Sequence, residues 1–407
     1  MARIALCLPS LRSHAAVHGV LARALAARGH AVSLVGSAPL APLARAEGVA
    51  WAGLGGGPEP DLRGAGLART LWATAAATRA WVAHGPETLA RLTPDLVIAD
   101  QAEPGASLAA EAAGLPRATL AAALPMDRDM AIPPPFVDWP WLDGAAGARR
   151  NRGGWRVADA LLLLQRRALA QGCRDHGLPL RTLLSDWIAP DLDLRQLVPA
   201  LDFPHDLPPG AAPVGPLRDG GQGTLDGDPG DARPIVFASL GTLQGGRRGL
   251  MSAIAAAAEG LGVRLLLAHA GGLTEAQARA LPGAPEVRAL WPQRAVLARA
   301  AACITHAGLN TALDCVAARV PMVAIPLAFE QPATAARLAH HGLARVVPPR
   351  RADPATIRAA LVEALSGAMR PRFDAPARAL ADAGGAPRAV ALVEALLARP
   401  ATTGRAA

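Results

Sequence analysis

Short apolar runs alternate with longer amphipathic stretches along most of this chain. Arg3–Leu8 and Ala31–Val35 are apolar enough to be strands buried on both faces. Between them, about His14–Ala27 repeats its apolar positions at helical spacing and stops at Gly29. A strand, a helix and a second strand in this order imply a parallel sheet. Leu96–Ala99 and Ala118–Ala121 continue the buried-strand pattern, with helical patterns at about Gly66–His84, Ser107–Ala113 and Val157–Asp175. From Phe203 to Arg233 the chain turns to Pro, Gly and Asp without apolar periodicity, which marks a linker. The pattern then restarts. Strands are expected at Ile235–Ser239, Arg264–Ala268, Val287–Leu290, Cys303–Thr305, Met322–Pro326 and Ala344–Val347. The helices between and after them are expected at Gly249–Gly260, Ala295–Arg299, Leu309–Ala318, Pro332–His341, Pro354–Ser366 and Pro371–Ala383.

The expected architecture is α/β: two Rossmann-like doubly wound domains facing each other across a cleft. Residues 1–202 would form the first domain, 203–233 the linker and 234–385 the second domain. Residues 386–407 would be a C-terminal helix and tail packing back on the first domain. In such sheets ligands bind beyond the carboxyl ends of the strands, so residues just after strands are the ones that matter.

Composition narrows this picture. Hydrophobic residues make up 51% of the 407 and charged residues 18%, which suits two buried cores and argues against disorder. The chain has no Lys or Tyr and is rich in Ala, Arg, Gly and Pro, the mark of codon bias in a GC-rich genome. Its net charge of +8 is therefore weak support for anionic partners. Four scattered cysteines, Cys7, Cys173, Cys303 and Cys315, show no metal-like spacing and read as buried free thiols in a reducing compartment. No stretch reaches the roughly 20 apolar residues that span a bilayer. A cytoplasmic protein, with candidate peripheral contact at the inner membrane face, is expected.

The segment most suggestive of chemistry is Ile304-Thr305-His306-Ala307-Gly308-Leu309-Asn310-Thr311, where a buried strand turns into a helix. Free N–H groups and the positive end of a helix dipole make such a turn an anion site. There His306 can add a hydrogen bond or a charge to a phosphate oxygen. Ser239-Leu240-Gly241-Thr242 repeats this kind of turn after the first strand of the same domain. Glu330-Gln331 follows another strand, a carboxylate beside an amide suited to sugar hydroxyls. Leu290-Trp291-Pro292-Gln293 offers an aromatic and an amide suited to a base and a ribose.

Taken in order, these pieces resemble the donor-binding signature of the family 1 glycosyltransferases, whose fold is GT-B. The similarity is closest to the bacterial zeaxanthin glucosyltransferases. Ser239–Gly245, Leu265–Gly272, Pro326–Pro332, Asp100–Pro104 and Ala123–Met126 carry it, and it spans nearly the whole chain. The resemblance implies an inverting enzyme that moves glucose from UDP-glucose to a carotenoid hydroxyl, with neither metal nor cofactor. It implies that Gln293 contacts the nucleoside and Asp314 the ribose. His306, Gly308, Asn310, Thr311 and Thr242 would surround the diphosphate, and Glu330 and Gln331 would hold the sugar. Three positions depart from the family pattern. Leu290 stands at the base-stacking position with Trp291 one place later, so both are candidates for that role. Ala307 replaces a usual Gly, and Glu330 a usual Asp.

On the acceptor side, His14 follows the first strand and is a candidate general base, since an ordinary imidazole titrates near neutral pH. Asp100 follows another strand of the same sheet and could orient it and stabilise its protonated form. The resemblance points to the same pair; His18, one turn on, is the competing histidine. Ile132–Arg156 gathers three Trp and four Arg, and suits either an interfacial membrane contact or a loop over a lipophilic acceptor. Nucleic acid is not expected as a partner. Alternatives are the same chemistry on a sterol or polyketide alcohol, a non-catalytic glycosyltransferase-like activator, and a nucleotide-sugar epimerase.

Overall fold

The computed structural model of the protein describes residues 1–56, 62, 64–220, 223–225 and 231–399. Its first sheet contains β1 (Arg3–Cys7), β2 (Ala31–Gly36), β3 (Ala50–Gly53), β4 (Leu96–Asp100), β5 (Arg117–Ala121), β6 (Asp193–Arg195) and β7 (Ala211–Pro213). Their order across the sheet is β3-β2-β1-β4-β5-β6-β7, and every neighbouring pair is parallel. The second sheet contains β8 (Ile235–Ser239), β9 (Arg264–Ala268), β10 (Glu286–Arg288), β11 (Ala300–Thr305), β12 (Met322–Ala324) and β13 (Ala344–Val346). Its order, β10-β9-β8-β11-β12-β13, is also parallel throughout. In both sheets the chain reverses direction of travel at the first strand. Each therefore has a topological switch point, between β1 and β4 and between β8 and β11, where a crevice opens at the strand ends. Strands such as β4 and β8 are buried along their whole length because helices cover both faces.

The structure revises three expectations. The stretch expected to link the domains contains β7, whose Ala211–Pro213 pair with Asp193–Arg195 of β6. The first sheet thus extends into that stretch, where Pro and Gly hide so short an edge strand; residues 221–222 and 226–230 of it lie outside the described residues. Strand β6 is hidden in the sequence for another reason. Its Asp193 and Arg195 are charged yet buried: Asp193 Oδ1 accepts from Gln101 Nε2 and Thr119 Oγ1, and Arg195 Nε donates to Asp193 Oδ2. The partners that make this burial tolerable come from distant parts of the chain.

The third revision concerns Ile132–Arg156. Its second half is helical, within Gly144–Leu161, which starts at an Asp143 cap accepting from Gly144 N. Four glycines disguised it. Two of them sit where a side chain would collide, Gly147 against the Leu142 carbonyl and Gly154 against the Trp139 ring. The tryptophans are occupied inside the fold. Trp155 Nε1 donates to Asp129 O, Arg150 lies over Trp139, and Trp141 packs edge-on against His340. They do not form an exposed aromatic surface.

One apolar cluster joins Leu124, Leu197 and Leu201 of the first half to Leu309, Leu313 and Leu338 of the second. A buried ion pair, Arg337 Nε to Asp202 Oδ1 at 2.6 Å, lies on the same seam. The C-terminal helix Gly385–Leu397 places Ala386, Ala389, Val390 and Val393 in the core of the first domain, against the helix Arg12–Ala27. Residues 400–407 of the expected tail lie outside the described residues. Among the described residues no helix is long and apolar enough to cross a membrane.

Candidate active site

The two switch points face one cleft. On the first domain β1 and β4 run side by side, with Cys7 opposite Ala99. Asp100 ends β4, and His14 lies in the first turn of the helix that follows β1. Neighbouring strand ends therefore bring together residues 86 apart in sequence: His14 Nδ1 lies 2.7 Å from Asp100 Oδ2, both buried. Asp100 Oδ1 accepts from Ala102 N, which fixes the carboxylate. With Nδ1–H donated to Asp100, Nε2 of His14 is the nitrogen left to accept a proton.

The electrostatics suit that role. Burial opposes the charged imidazole of His14. The Asp100 charge, the hydrogen bond to it and the more distant Glu330 outweigh burial and hold the pKa above the ordinary value. Asp100 titrates lower than usual: burial resists its ionisation, but His14, their bond, His18 and Ala102 N overcome it. His18 is fully buried, and its Nδ1 donates to the His14 carbonyl. It braces the turn that carries His14, with no access to the cleft.

Glu330 and Asn310 approach this pair from the second domain. Asn310 Nδ2 reaches the Ser13 carbonyl at 3.5 Å, and Glu330 couples to the charge on His14. Burial raises the Glu330 carboxyl above the usual range, only partly offset by its own backbone N–H and by His14. Phe329 just before it takes a left-handed φ of 56°. Gln331 accepts from Leu327 N and Ala328 N through Oε1, so its carbonyl stiffens the loop and its amide Nε2 is the group left for a ligand.

At the turn after β11, Gly308 precedes the helix Leu309–Ala317, whose first N–H groups have no partner within the helix and no side-chain cap at Gly308. Ala307, where the family pattern has Gly, takes φ 62°. An L-residue there costs about 1–2 kcal/mol relative to glycine. The His306 ring lies between two glycines: a side chain on Gly241 or on Gly308 would stand 2.5 Å from His306 Nε2. Burial, resisted only by the Ser239 backbone, pushes the His306 pKa down to about 4. In the free protein at neutral pH the ring is therefore neutral and offers a hydrogen bond. Thr242 lies in the single turn Gly241–Gln244 after β8.

The residues expected at the nucleoside end are organised around Asp314. Gln293 Nε2 donates to Asp314 Oδ2 at 2.7 Å, and Thr311 Oγ1 donates to Gln293 Oε1 at 3.3 Å. Arg218, absent from the sequence expectations, binds the other carboxylate oxygen through Nε at 2.8 Å. It also donates to the Asn310 carbonyl, Asn310 Oδ1 and Gln196 Oε1, tying the interdomain segment to the helix Leu309–Ala317. Its only sequence signal is an arginine in an otherwise Pro- and Gly-rich stretch. Trp291 is not a stacking platform. It is buried, donates through Nε1 to Leu267 O, and has Arg288 4.0 Å above its ring. Leu290, the other candidate for that role, is exposed and offers an apolar surface without a π-face.

Residues 194–369 match the family model for UDP-glucoronosyl and UDP-glucosyl transferase. A zeaxanthin glucosyltransferase of Pseudescherichia vulneris is 37% identical over 98% of both chains. Another, of Pantoea ananas, is 33% identical over 85% of this chain and 84% of its own. Among solved structures, the calicheamicin glycosyltransferase CalG4 superposes with a TM-score of 0.76 at 24% identity, covering 98% of this chain and 99% of that one. The kitacinnamycin glycosyltransferase gives 0.74 at 23% identity, over 97% and 99%. The two facing Rossmann-like sheets are thus the GT-B arrangement. The chain belongs to the UDP-glucoronosyl and UDP-glucosyl transferase family and is a UDP-sugar-dependent glycosyltransferase.

Proposed function

We propose that this enzyme moves glucose from UDP-glucose to a carotenoid hydroxyl of the zeaxanthin type, with inversion at the anomeric carbon. The acceptor is supported by the names of the two long relatives, one of them 37% identical end to end. The mechanism is carried by one observation: a buried His14–Asp100 pair whose charge is felt by Glu330 across the cleft. Nε2 of His14 takes the proton of the acceptor hydroxyl as its oxygen bonds to the anomeric carbon. The bond from that carbon to the diphosphate oxygen breaks, and UDP leaves with the electron pair. Asp100 stays ionised and stabilises the imidazolium. A single displacement of this kind turns an α-linked donor into a β-glycoside.

The charge appearing on the diphosphate meets the N-terminus of the helix Leu309–Ala317, with His306, Gly308, Asn310, Thr311 and Thr242 around it. Well-aimed donors in comparable anion sites contribute about 3–4 kcal/mol each. Gln293 and Asp314 take the nucleoside, and Glu330 and Gln331 the glucose hydroxyls. The reaction draws on no cofactor beyond the donor. Four buried free thiols support a reducing, cytoplasmic setting.

The test is purified protein with micellar zeaxanthin and radiolabelled UDP-glucose, followed by NMR of the product. A labelled β-glucoside is expected. No glycoside from any of several UDP- and TDP-sugars would overturn the assignment, and an α-glucoside would overturn the single displacement.

A further inference from the structure

The helical stretch from Gly144 to Asp175, broken at Leu162, carries a surface that catalysis leaves unused. Val157 and Leu161 are 61% and 45% exposed and lie one turn apart on the same face. Just past the break, Leu163 and Leu164 are 42% and 43% exposed. Four large aliphatic side chains in eight residues thus face solvent, a density that ordinary surface scatter does not produce. Arg149, Arg152, Arg156 and Arg167 are exposed around them, and none has an ion-pair partner among the described residues. Between Arg149 and Arg167 the sequence has one carboxylate, Asp159, and it is committed to Arg128 through both oxygens. An apolar stripe edged by free guanidinium groups is complementary to a bilayer whose headgroups are anionic: the aliphatic groups enter the acyl boundary while the arginines snorkel to phosphates. A second copy of the chain is a poorer occupant, because a self-complementary contact would set these unpaired arginines against one another.

We propose that this face, centred on Val157, Leu161 and Leu164, docks the protein on an anionic lipid surface. It does so through aliphatic residues and arginine, while the three tryptophans nearby serve the fold. The docked surface adjoins a narrow crevice lined by Met126, Phe136, Trp155, Asp159 and Leu162. Gln101 Oε1 accepts from Met126 N and links that crevice to the strand end bearing Asp100. On the acceptor reading above, a lipophilic substrate would pass from the bilayer to His14 along this edge.

The test is co-sedimentation of the full chain with vesicles of phosphatidylcholine alone or mixed with phosphatidylglycerol. Wild type is expected to bind the mixed vesicles and to be released by salt. Replacing Arg149, Arg156 and Arg167 by Gln should weaken binding about fivefold per residue. V157S/L161S/L164S should abolish it, while turnover of a water-soluble alcohol acceptor stays at the wild-type level. These substitutions sit on exposed positions, and circular dichroism checks that the fold is kept. Equal binding to both vesicle types would overturn the proposal, as would vesicle binding unchanged in the serine variant. It would also be overturned by a concentration-dependent dimer, lost in that variant, with no vesicle binding. Loss of glycosylation with wild-type vesicle binding would count against the acceptor reading alone.

Discussion

Replacing Asp100 by Asn changes one atom of the acceptor side and tests the whole base assignment. The His14 side chain is 9% exposed and that of Asp100 1%, so solvent cannot substitute for the lost charge. The Asn oxygen would keep the bond from Ala102 N, now 2.8 Å from Asp100 Oδ1. Its amide would then point at His14 Nδ1 and donate to it. Nδ1 becomes an acceptor, the ring proton moves to Nε2, and the atom that should receive the acceptor's proton is already occupied. Loss of the correct tautomer in a serine-protease triad lowers kcat about 10⁴-fold, and we expect a loss of about 10³–10⁴, or about 4–5.5 kcal/mol of barrier. The pH profile should shift as well. His14 works only unprotonated, and in the native protein its pKa is held above the ordinary value, so activity falls as pH drops through that raised pKa. In the variant burial remains, with only Glu330 opposing it, so the acid limb moves to lower pH while the plateau drops. The assay is kcat/KM against pH at saturating donor, with UDP affinity by calorimetry as control. A loss smaller than tenfold, or an acid limb that stays in place, would refute the reasoning.

Three further outcomes follow from other parts of the site. Gly308→Ala adds a methyl group 2.5 Å from His306 Nε2 at ordinary φ, so the imidazole must move; we expect UDP affinity to fall about tenfold, about 1.4 kcal/mol, by calorimetry. Arg218→Ala removes the charge-assisted bonds to Asp314 and Asn310, each worth about 1.5–3 kcal/mol. It should weaken UDP binding about 10–100-fold, and unchanged affinity would show that Arg218 does not organise the nucleoside end. Arg337→Ala strands the buried Asp202 carboxylate between the domains and should cost about 3–5 kcal/mol in urea unfolding; a cost below about 1 kcal/mol would contradict the burial argument.

Much of this protein is legible in one dimension. Apolar runs of strand length separated by helical periodicity name two parallel sheets, because only a parallel sheet covered on both faces needs such runs. The order of Thr242, Gln293, His306, Asn310, Asp314 and Glu330 follows from strand-to-helix turns, which are local. What is not local was hidden. Strand β6 carries buried charges whose partners lie about 70–90 residues away. The helix Gly144–Leu161 is built with glycines that only tight packing against Trp139 and Leu142 explains. Trp291 looked suited to a base, and only the three-dimensional contacts show its indole bonded to Leu267 and roofed by Arg288. His14 and Asp100 could each be proposed from position, but their 2.7 Å meeting depends on β1 and β4 being neighbours. Local propensity and periodicity therefore determined the elements and the order of the motifs. Which buried charges are paired, which aromatics are free and which histidine is bonded to Asp100 were decided by packing, because burial and pairing belong to contacts between distant segments.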